Sequence, residues 1–216
     1  MDRGLNEVLR WGIENSTTPN KSTDTTLPTQ PARPLDPALL SALFGGPSDA
    51  DLMRSAMAAI KSPDVDLENK LIAFDNFEQM IENLDNANNI EALKLWEPLI
   101  EELGNAEAEI RALAAWCVGT AVQNNEKSQE KCVMHGAVGK LVDLAVGDKS
   151  VGVRKKAILA LSSCVRNYQP ALDEALKSLP KEYRGGEEID ASDMEAIDGI
   201  IQALRDASAK KAEQKS

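Results

Sequence analysis

Apolar residues recur along this chain at helical spacing, in stretches separated by polar or glycine breaks. In residues 108–138, AEIRALAAWCVGTAVQNNEKSQEKCVMHGAV, Ile110, Leu113, Ala114, Cys117, Val118 and Ala121 fall at i, i+3, i+4 and i+7. That spacing puts one face of a helix into a core. A polar break at Gln123, Asn124 and Asn125 follows, then a short helix over residues 127–134, a break at His135 and Gly136, and another short helix over residues 137–146. Ala112, Ala114, Ala115 and Gly119 are small enough to let neighbouring helices approach closely.

The same order returns downstream. Setting Ile110-Arg111 on Val153-Arg154 is an offset of 153−110 = 43 residues, and it places Gly104 on Gly147, Ala114 on Ala157, Val122 on Val165 and Asn124 on Asn167. A weaker copy lies upstream, with Leu67 on Ile110, Leu71 on Ala114, and Asn88-Asn89-Ile90 on Lys131-Cys132-Val133. Units over residues 64–107, 108–150 and 151–179 predict stacked helical repeats, because such a unit buries its apolar face only against its neighbours.

Around this centre, residues 5–15 place Leu5, Val8, Leu9 and Ile13 on one helical face with Trp11 beside it, making residues 1–16 a short amphipathic segment. Residues 17–37 carry Pro19, Pro28, Pro31, Pro34 and Pro37 among Ser and Thr with no apolar period, and read as a disordered linker. The first helix either stands apart on this tether or docks back as a cap; helices so short are marginal alone.

The main domain, residues 38–179, opens with a short helix over residues 36–44 stopped by Gly45-Gly46-Pro47. Then come a helix capped by Ser48, through Leu52, Met53, Ala56 and Ile60, and a long helix over residues 64–84. A third long helix over residues 150–168 and a short one over residues 170–179 lead to a linker at 180–190. Ser192 and Glu195 have the spacing of a capping box, opening a helix over residues 191–209 that caps the end of the stack.

At 216 residues and 43% hydrophobic content the chain holds one modest domain plus tails. A net charge of −11 argues against nucleic acid, whose phosphates require a basic face, and reads as a solvated helical surface. Cys117, Cys132 and Cys164 sit within helical patterns without CxxC pairing and read as small core residues in a reducing compartment. The opening residues lack a signal-peptide pattern and no apolar run reaches bilayer length, so the expected location is cytoplasmic with no membrane partner.

Catalytic chemistry has little to work with. His135 is the lone histidine; it shares a face with Cys132, and a metal-assisted hydrolase built on that pair is one alternative, although structural zinc takes four ligands. Gly45-Gly46 is not followed by Lys-Ser/Thr, so no phosphate loop is expected. The expectation is a non-enzyme with no catalytic residues, metal or cofactor.

The run Ala114-Ala115-Trp116-Cys117-Val118-Gly119-Thr120-Ala121-Val122, followed by Gly136-Ala137-Val138, resembles the armadillo repeat. That resemblance implies an all-α fold: a short right-handed armadillo-repeat solenoid with a disordered N-terminal region and a C-terminal capping helix. Armadillo proteins that clasp extended peptides use an Asn ladder; the equivalent positions here are Phe77, Thr120 and Ser163, so a peptide groove of that kind is not expected.

Residues 67–100 (LENKLIAFDNFEQMIENLDNANNIEALKLWEPLI), 119–130 (GTAVQNNEKSQE) and 153–172 (VRKKAILALSSCVRNYQPAL) are more specific. With LDPALLSALFGGPSDADLM at residues 35–53 and the N-terminal Leu5, Leu9, Trp11, Ile13, Asn15 and Ser16, they resemble armadillo-type nucleotide exchange factors of heat shock 70-kDa (DnaK-type) chaperones, especially the fungal members. The similarity reaches about residue 179, where the family's further repeat gives way to a linker and one helix. It implies a monomer whose concave face curls around one lobe of the chaperone's nucleotide-binding domain, favours an open cleft and lets ADP leave faster.

The contact candidates that follow are Asn86, Ala87, Asn88, Asn89, Gln123, Asn124 and Asn125 at helix ends, with Trp116, Thr120, Lys156, Leu159 and Arg166 on the long helices. Helix capping is the alternative role for each Asn. The family also implies that Leu5, Leu9, Trp11 and Ile13 help release client polypeptide. A general armadillo interaction scaffold with no effect on nucleotide is the rival reading.

Overall fold

The computed structural model describes residues 46–186 and 188–213. The expected helices over residues 5–15 and 36–44, and the linker between them, lie outside the described residues. Within them the chain is all helical, with ten α-helices, two 3-10 turns and no strand. In order these are α1 (Asp49–Lys61), α2 (Leu67–Ile81), α3 (Leu84–Ala92), α4 (Trp96–Glu101), a 3-10 turn (Glu102–Gly104), α5 (Ala108–Val122), α6 (Glu126–Met134), α7 (Ala137–Gly147), α8 (Val151–Val165), α9 (Gln169–Ser178), a second 3-10 turn (Lys181–Tyr183) and α10 (Met194–Glu213).

The three 15-residue helices α2, α5 and α8 form the middle of the domain. Helix α2 packs along α5, α5 along α8, and α8 along α10. Sandwiched in this way, α5 buries Ile110, Ala114, Ala115, Cys117, Val118, Ala121 and Val122, which lie on more than one face. The small residues set the spacing: a Cβ at Gly119 would stand 3.0 Å from Ala160 Cα and 3.3 Å from its Cβ, closer than two helices tolerate without moving apart.

The 43-residue period is visible in the backbone. Helix α5 ends with Gln123 at φ −64°, ψ 114°, Asn124 at φ 51° and Asn125 at φ −134°, ψ 87°. Helix α8 ends with Arg166 at φ −68°, ψ 129°, Asn167 at φ 56° and Tyr168 at φ −138°, ψ 93°. Asparagine suits the left-handed middle position because its short amide tolerates that region better than other side chains with a Cβ. The first long helix departs from this plan: α2 starts 41 residues before α5 (108−67) and runs on into a right-handed Glu82. Phe77, aligned above with Thr120 and Ser163, is therefore fully buried, and it is Glu78 that faces Thr120, accepting a 2.7 Å bond from its hydroxyl.

Two arginines one period apart tie consecutive layers together. Arg111 Nη1 donates to the carbonyls of Asn105 and Ala106 at 2.8 Å each, while its Nε and Nη2 bind both carboxylate oxygens of Asp148 at 2.8 and 3.1 Å. Arg154 makes the same turn to the carbonyls of Asp148 (2.8 Å) and Lys149 (3.4 Å), but its outer nitrogens reach Ser208 Oγ and the Ser208 carbonyl at 2.8 and 2.9 Å. Helix α10 thus receives from α8 the grip that α8's own N-terminal turn receives from α5. Its start differs from the expected capping box. Ser192 Oγ donates to Asp190 Oδ1 at 2.7 Å, and Asp193 Oδ1 caps the helix by accepting from Ala196 N–H at 3.0 Å. A carboxylate two residues away captures the serine hydroxyl, leaving the next aspartate to take the cap.

The segment before α10 is pinned to the end of α8 as well. Asn167 N–H donates to the Ala191 carbonyl at 2.8 Å, and the Gln169 amide bonds both Ile189 O (3.0 Å) and Ala191 N–H (2.8 Å).

Candidate functional site

A groove of about 420 Å³ runs across α2, α5 and α8, lined by Glu78, Glu82, Trp116, Gly119, Thr120, Gln123, Asn124, Leu159, Ala160 and Ser163. The close approach of α5 and α8 at Gly119 and Ala160 forms part of its lining, and its walls are side chains one helical turn to either side. Of the residues singled out from the sequence, Trp116, Thr120, Gln123, Asn124 and Leu159 converge here. Gln123 and Asn124 are exposed, and Leu159 is an exposed large apolar residue at 42% of its full accessibility.

Lys156 stands beside them, with its Nζ 3.0 Å from the centre of the Trp116 ring, a cation held over an aromatic face. Burial pushes its ammonium below the ordinary lysine value, with the nearby carboxylates of Glu78 and Asp75 pulling the other way. The pair keeps the indole fixed at the edge of the groove.

The remaining candidates are used inside the fold. Asn86 is buried and donates to Asp49 Oδ2 at 2.9 Å and to the Met80 carbonyl at 3.0 Å, joining α3 to α1. Ala87 is buried, and its carbonyl accepts from Ser128 Oγ at 3.5 Å. Asn125 is buried and caps α6, with its amide on the Ala121 carbonyl at 3.1 Å and on Ser128 Oγ at 2.8 Å. Arg166 binds Asp198 and sits 3.3 Å from Met194 Sδ, bracing α10. Asn88 is half-buried, its Oδ1 enclosed without a hydrogen-bond partner, and Asn89 is exposed; neither lines the groove.

Glu78 and Glu82, which form the α2 wall, were not singled out from the sequence. The residue that meets Thr120 lies 42 positions upstream (120−78), so a uniform 43-residue alignment lands on Phe77 and misses this wall. Gln129 was also missed. Its amide nitrogen donates to the carbonyls of Ser163, Cys164 and Arg166 at 3.0 Å each, satisfying the open end of α8. A polar residue in a helix with three remote carbonyl partners leaves no local sequence signal.

Cys132 and His135 do not converge on a common site. Cys132 is buried 3.5 Å from Cys164, whose thiol is pushed well up by that contact and by burial. His135 points outward, with Nε2 2.9 Å from Glu91 and its ring stacked on Trp96. Among the described residues no group of three His, Cys, Asp or Glu is placed to hold a metal, and no helix is long and apolar enough to cross a membrane.

What the site offers is a surface for contact: an aromatic edge, a polar rim and two carboxylates. Residues 5–90 match the family described as nucleotide exchange factor Fes1, and residues 86–180 match the SIL1/FES1/HPBP1 C-terminal domain. The Hsp70 nucleotide exchange factor FES1 of Gibberella zeae is 52% identical over 210 residues, covering 95% of this chain and 97% of that protein. The one from Coccidioides immitis is 52% identical over 222 residues, covering 95% and 99%, and the one from Neurospora crassa is 47% identical over 240 residues, covering 95% and 98%. This chain belongs to the Fes1 family of nucleotide exchange factors.

Proposed function

We propose that this chain is a short right-handed armadillo solenoid that acts as a monomer on a cytosolic Hsp70, binding its nucleotide-binding domain and speeding the departure of ADP. The stacking of α2, α5 and α8 with a 43-residue period between the last two supports the solenoid, and the groove across them supplies its concave face. The observation that carries the reading is the convergence of Trp116, Thr120, Gln123, Asn124 and Leu159 in one groove, in a member of this family.

No catalytic residue is needed. A partner that binds the open, nucleotide-free form of the chaperone more tightly than the closed form weakens nucleotide binding by the same factor, a coupling that typically amounts to about 1–3 kcal/mol. A rigid, preassembled surface serves this purpose because it resists being deformed by the closed form. Asn88, Asn89 and Lys156 lie outside the groove lining and join the contact as its margin. Asn86, Ala87, Asn125 and Arg166 support it from within. The Leu5, Leu9, Trp11 and Ile13 segment, outside the described residues, acts on the client-binding side of the chaperone and helps release polypeptide.

The test is the rate at which fluorescent ADP leaves a cytosolic Hsp70 after a chase with excess ATP. The expected result is acceleration that grows with the concentration of this protein and falls roughly tenfold or more with Trp116→Ala and Gln123→Ala together, the scale of a truncated hot spot. No acceleration at saturating concentration contradicts the reading; binding without acceleration leaves an interaction scaffold.

A further inference from the structure

Beyond the groove, between α8 and the C-terminal helix α10, lies a second cleft of about 330 Å³, lined by Val151, Lys155, Ile158, Leu159, Arg205 and Ala209 together with Ser208. Its floor is apolar: the Ser208 hydroxyl, the polar group there, is buried and already bound to Arg154. Leu159 lines both the groove and this cleft. A partner seated over Trp116 and Gln123 therefore reaches the cleft without a break in the surface.

The charges around the two recesses are opposite. Glu78 and Glu82 stand at the α2 end of the groove, while Lys155 and Arg205 flank the cleft. Most other arginines and several lysines in the described residues are engaged internally, Arg111 with Asp148, Arg154 with Ser208, Arg166 with Asp198, Lys61 with Glu101 and Glu102. Lys155 and Arg205 are exposed and make no such bond to a described residue. In a chain of net charge −11, these two residues place exposed cations beside an apolar recess.

We infer that the α8/α10 cleft is a second docking point for the same partner, taking an apolar side chain flanked by carboxylates from the chaperone's nucleotide-binding domain. The inference rests on the exchange reading above. It makes α10 a working part of the contact surface in addition to the end of the stack. The partner's complementary face then runs from basic groups opposite Glu78 and Glu82, across an apolar strip at Leu159, to acidic groups opposite Lys155 and Arg205. Such polarity fixes the orientation in which the lobe is gripped and raises the association rate more than it slows dissociation.

The experiment uses the full chain and Hsp70 loaded with fluorescent ADP. Lys155→Glu with Arg205→Glu reverses both exposed charges, and Ala209→Trp fills the cleft without altering charge. Both are expected to raise the concentration giving half-maximal acceleration roughly tenfold, the charge reversal chiefly through a slower association rate that worsens as salt is lowered. If wild type accelerates release and the charge reversal behaves like wild type, the cleft is not a docking point and the exchange reading stands. If the charge reversal weakens the effect but the filled cleft does not, the apolar seat is overturned. If wild type itself does nothing, it is the exchange reading that fails.

Discussion

Arg111 and Arg154 occupy the same place in successive layers and end in different company. Each folds back on two carbonyls of the turn five and six residues before it, and each then reaches forward. Arg111 meets a carboxylate, Asp148, and stays partly accessible; Arg154 meets a serine hydroxyl and carbonyl and is 1% exposed. The local half of the motif belongs to the repeat. The forward half depends on what comes next, and at the end of the stack a single helix supplies neutral acceptors in place of another repeat's aspartate. A buried guanidinium bound only to neutral oxygens couples α10 to α8, because both of its bonds beyond the local turn go to Ser208 and are lost if the helix leaves.

Removing Arg154 is the sharpest way to break the comparison. Arg154→Ala is expected to cost several kcal/mol by urea denaturation, because it leaves the buried Ser208 hydroxyl and the carbonyls of Asp148 and Ser208 without their donor at about 1–3 kcal/mol each, and to release α10 to hydrogen exchange. Arg111→Ala is expected to cost about 1–3 kcal/mol, with α10 unaffected. Equal losses at the two sites would contradict the difference drawn between them.

Next in size is the α5/α8 contact. Gly119→Val places branched carbon against the Ala160 backbone, and overpacking of that kind costs about 1–3 kcal/mol. Thermal denaturation would show the loss, and ADP release by Hsp70 would slow with it, since the same contact underlies the groove. An unchanged melting temperature would mean that the two helices separate freely.

The matching turns offer a smaller test. Asn124→Ala and Asn167→Ala, both at left-handed positions, are each expected to cost about 1 kcal/mol, while the Gly variants stay within about 0.5 kcal/mol of wild type. Equal responses at both sites would establish that the two turns share one backbone; a large Asn124→Gly effect would show that its side chain does more.

The smallest effect is in pH. Burial disfavours ionised Asp148, but bonds from Arg111 and the Ser150 N–H outweigh it and hold the carboxyl below its ordinary value. A depressed folded-state value adds stability that is present above the unfolded value near 3.9 and is lost as pH falls through the folded one. Asp148→Asn should therefore narrow its deficit relative to wild type as pH drops from 6 toward 3, measured by urea denaturation. A deficit that stays constant would remove the ionised pair from the account.

Much of the fold is legible in the sequence because its signals are local. The apolar stripe of α5, the Gly136 break at φ 70°, and the polar turn at Gln123 to Asn125 each act within one helix turn, and the period carries them from α5 to α8. What is illegible depends on distance. Arg154 and Ser208 are 54 residues apart, and Gln129 finds carbonyls 34 to 37 residues away. The asparagine-rich stretch of α3 looks like a polar rim, yet Asn86 turns inward to Asp49, a partner in another helix. The part of the groove on α5, the turn after it and α8 is recoverable, because those residues obey the period. The α2 wall is not, because the first repeat is shorter and brings Glu78, not Phe77, to face Thr120.

The exchange reading and the inferred second cleft together place one continuous face, from α2 across α5 and α8 to α10, against the chaperone. Amide hydrogen exchange of the full chain with and without an Hsp70 nucleotide-binding domain tests it most directly. Added protection is expected at the turn after α5 around Gln123 and Asn124, along exposed amides near Leu159, and at the Arg205 edge of α10. Protection confined to α7 and α9, with the groove unchanged, would contradict it.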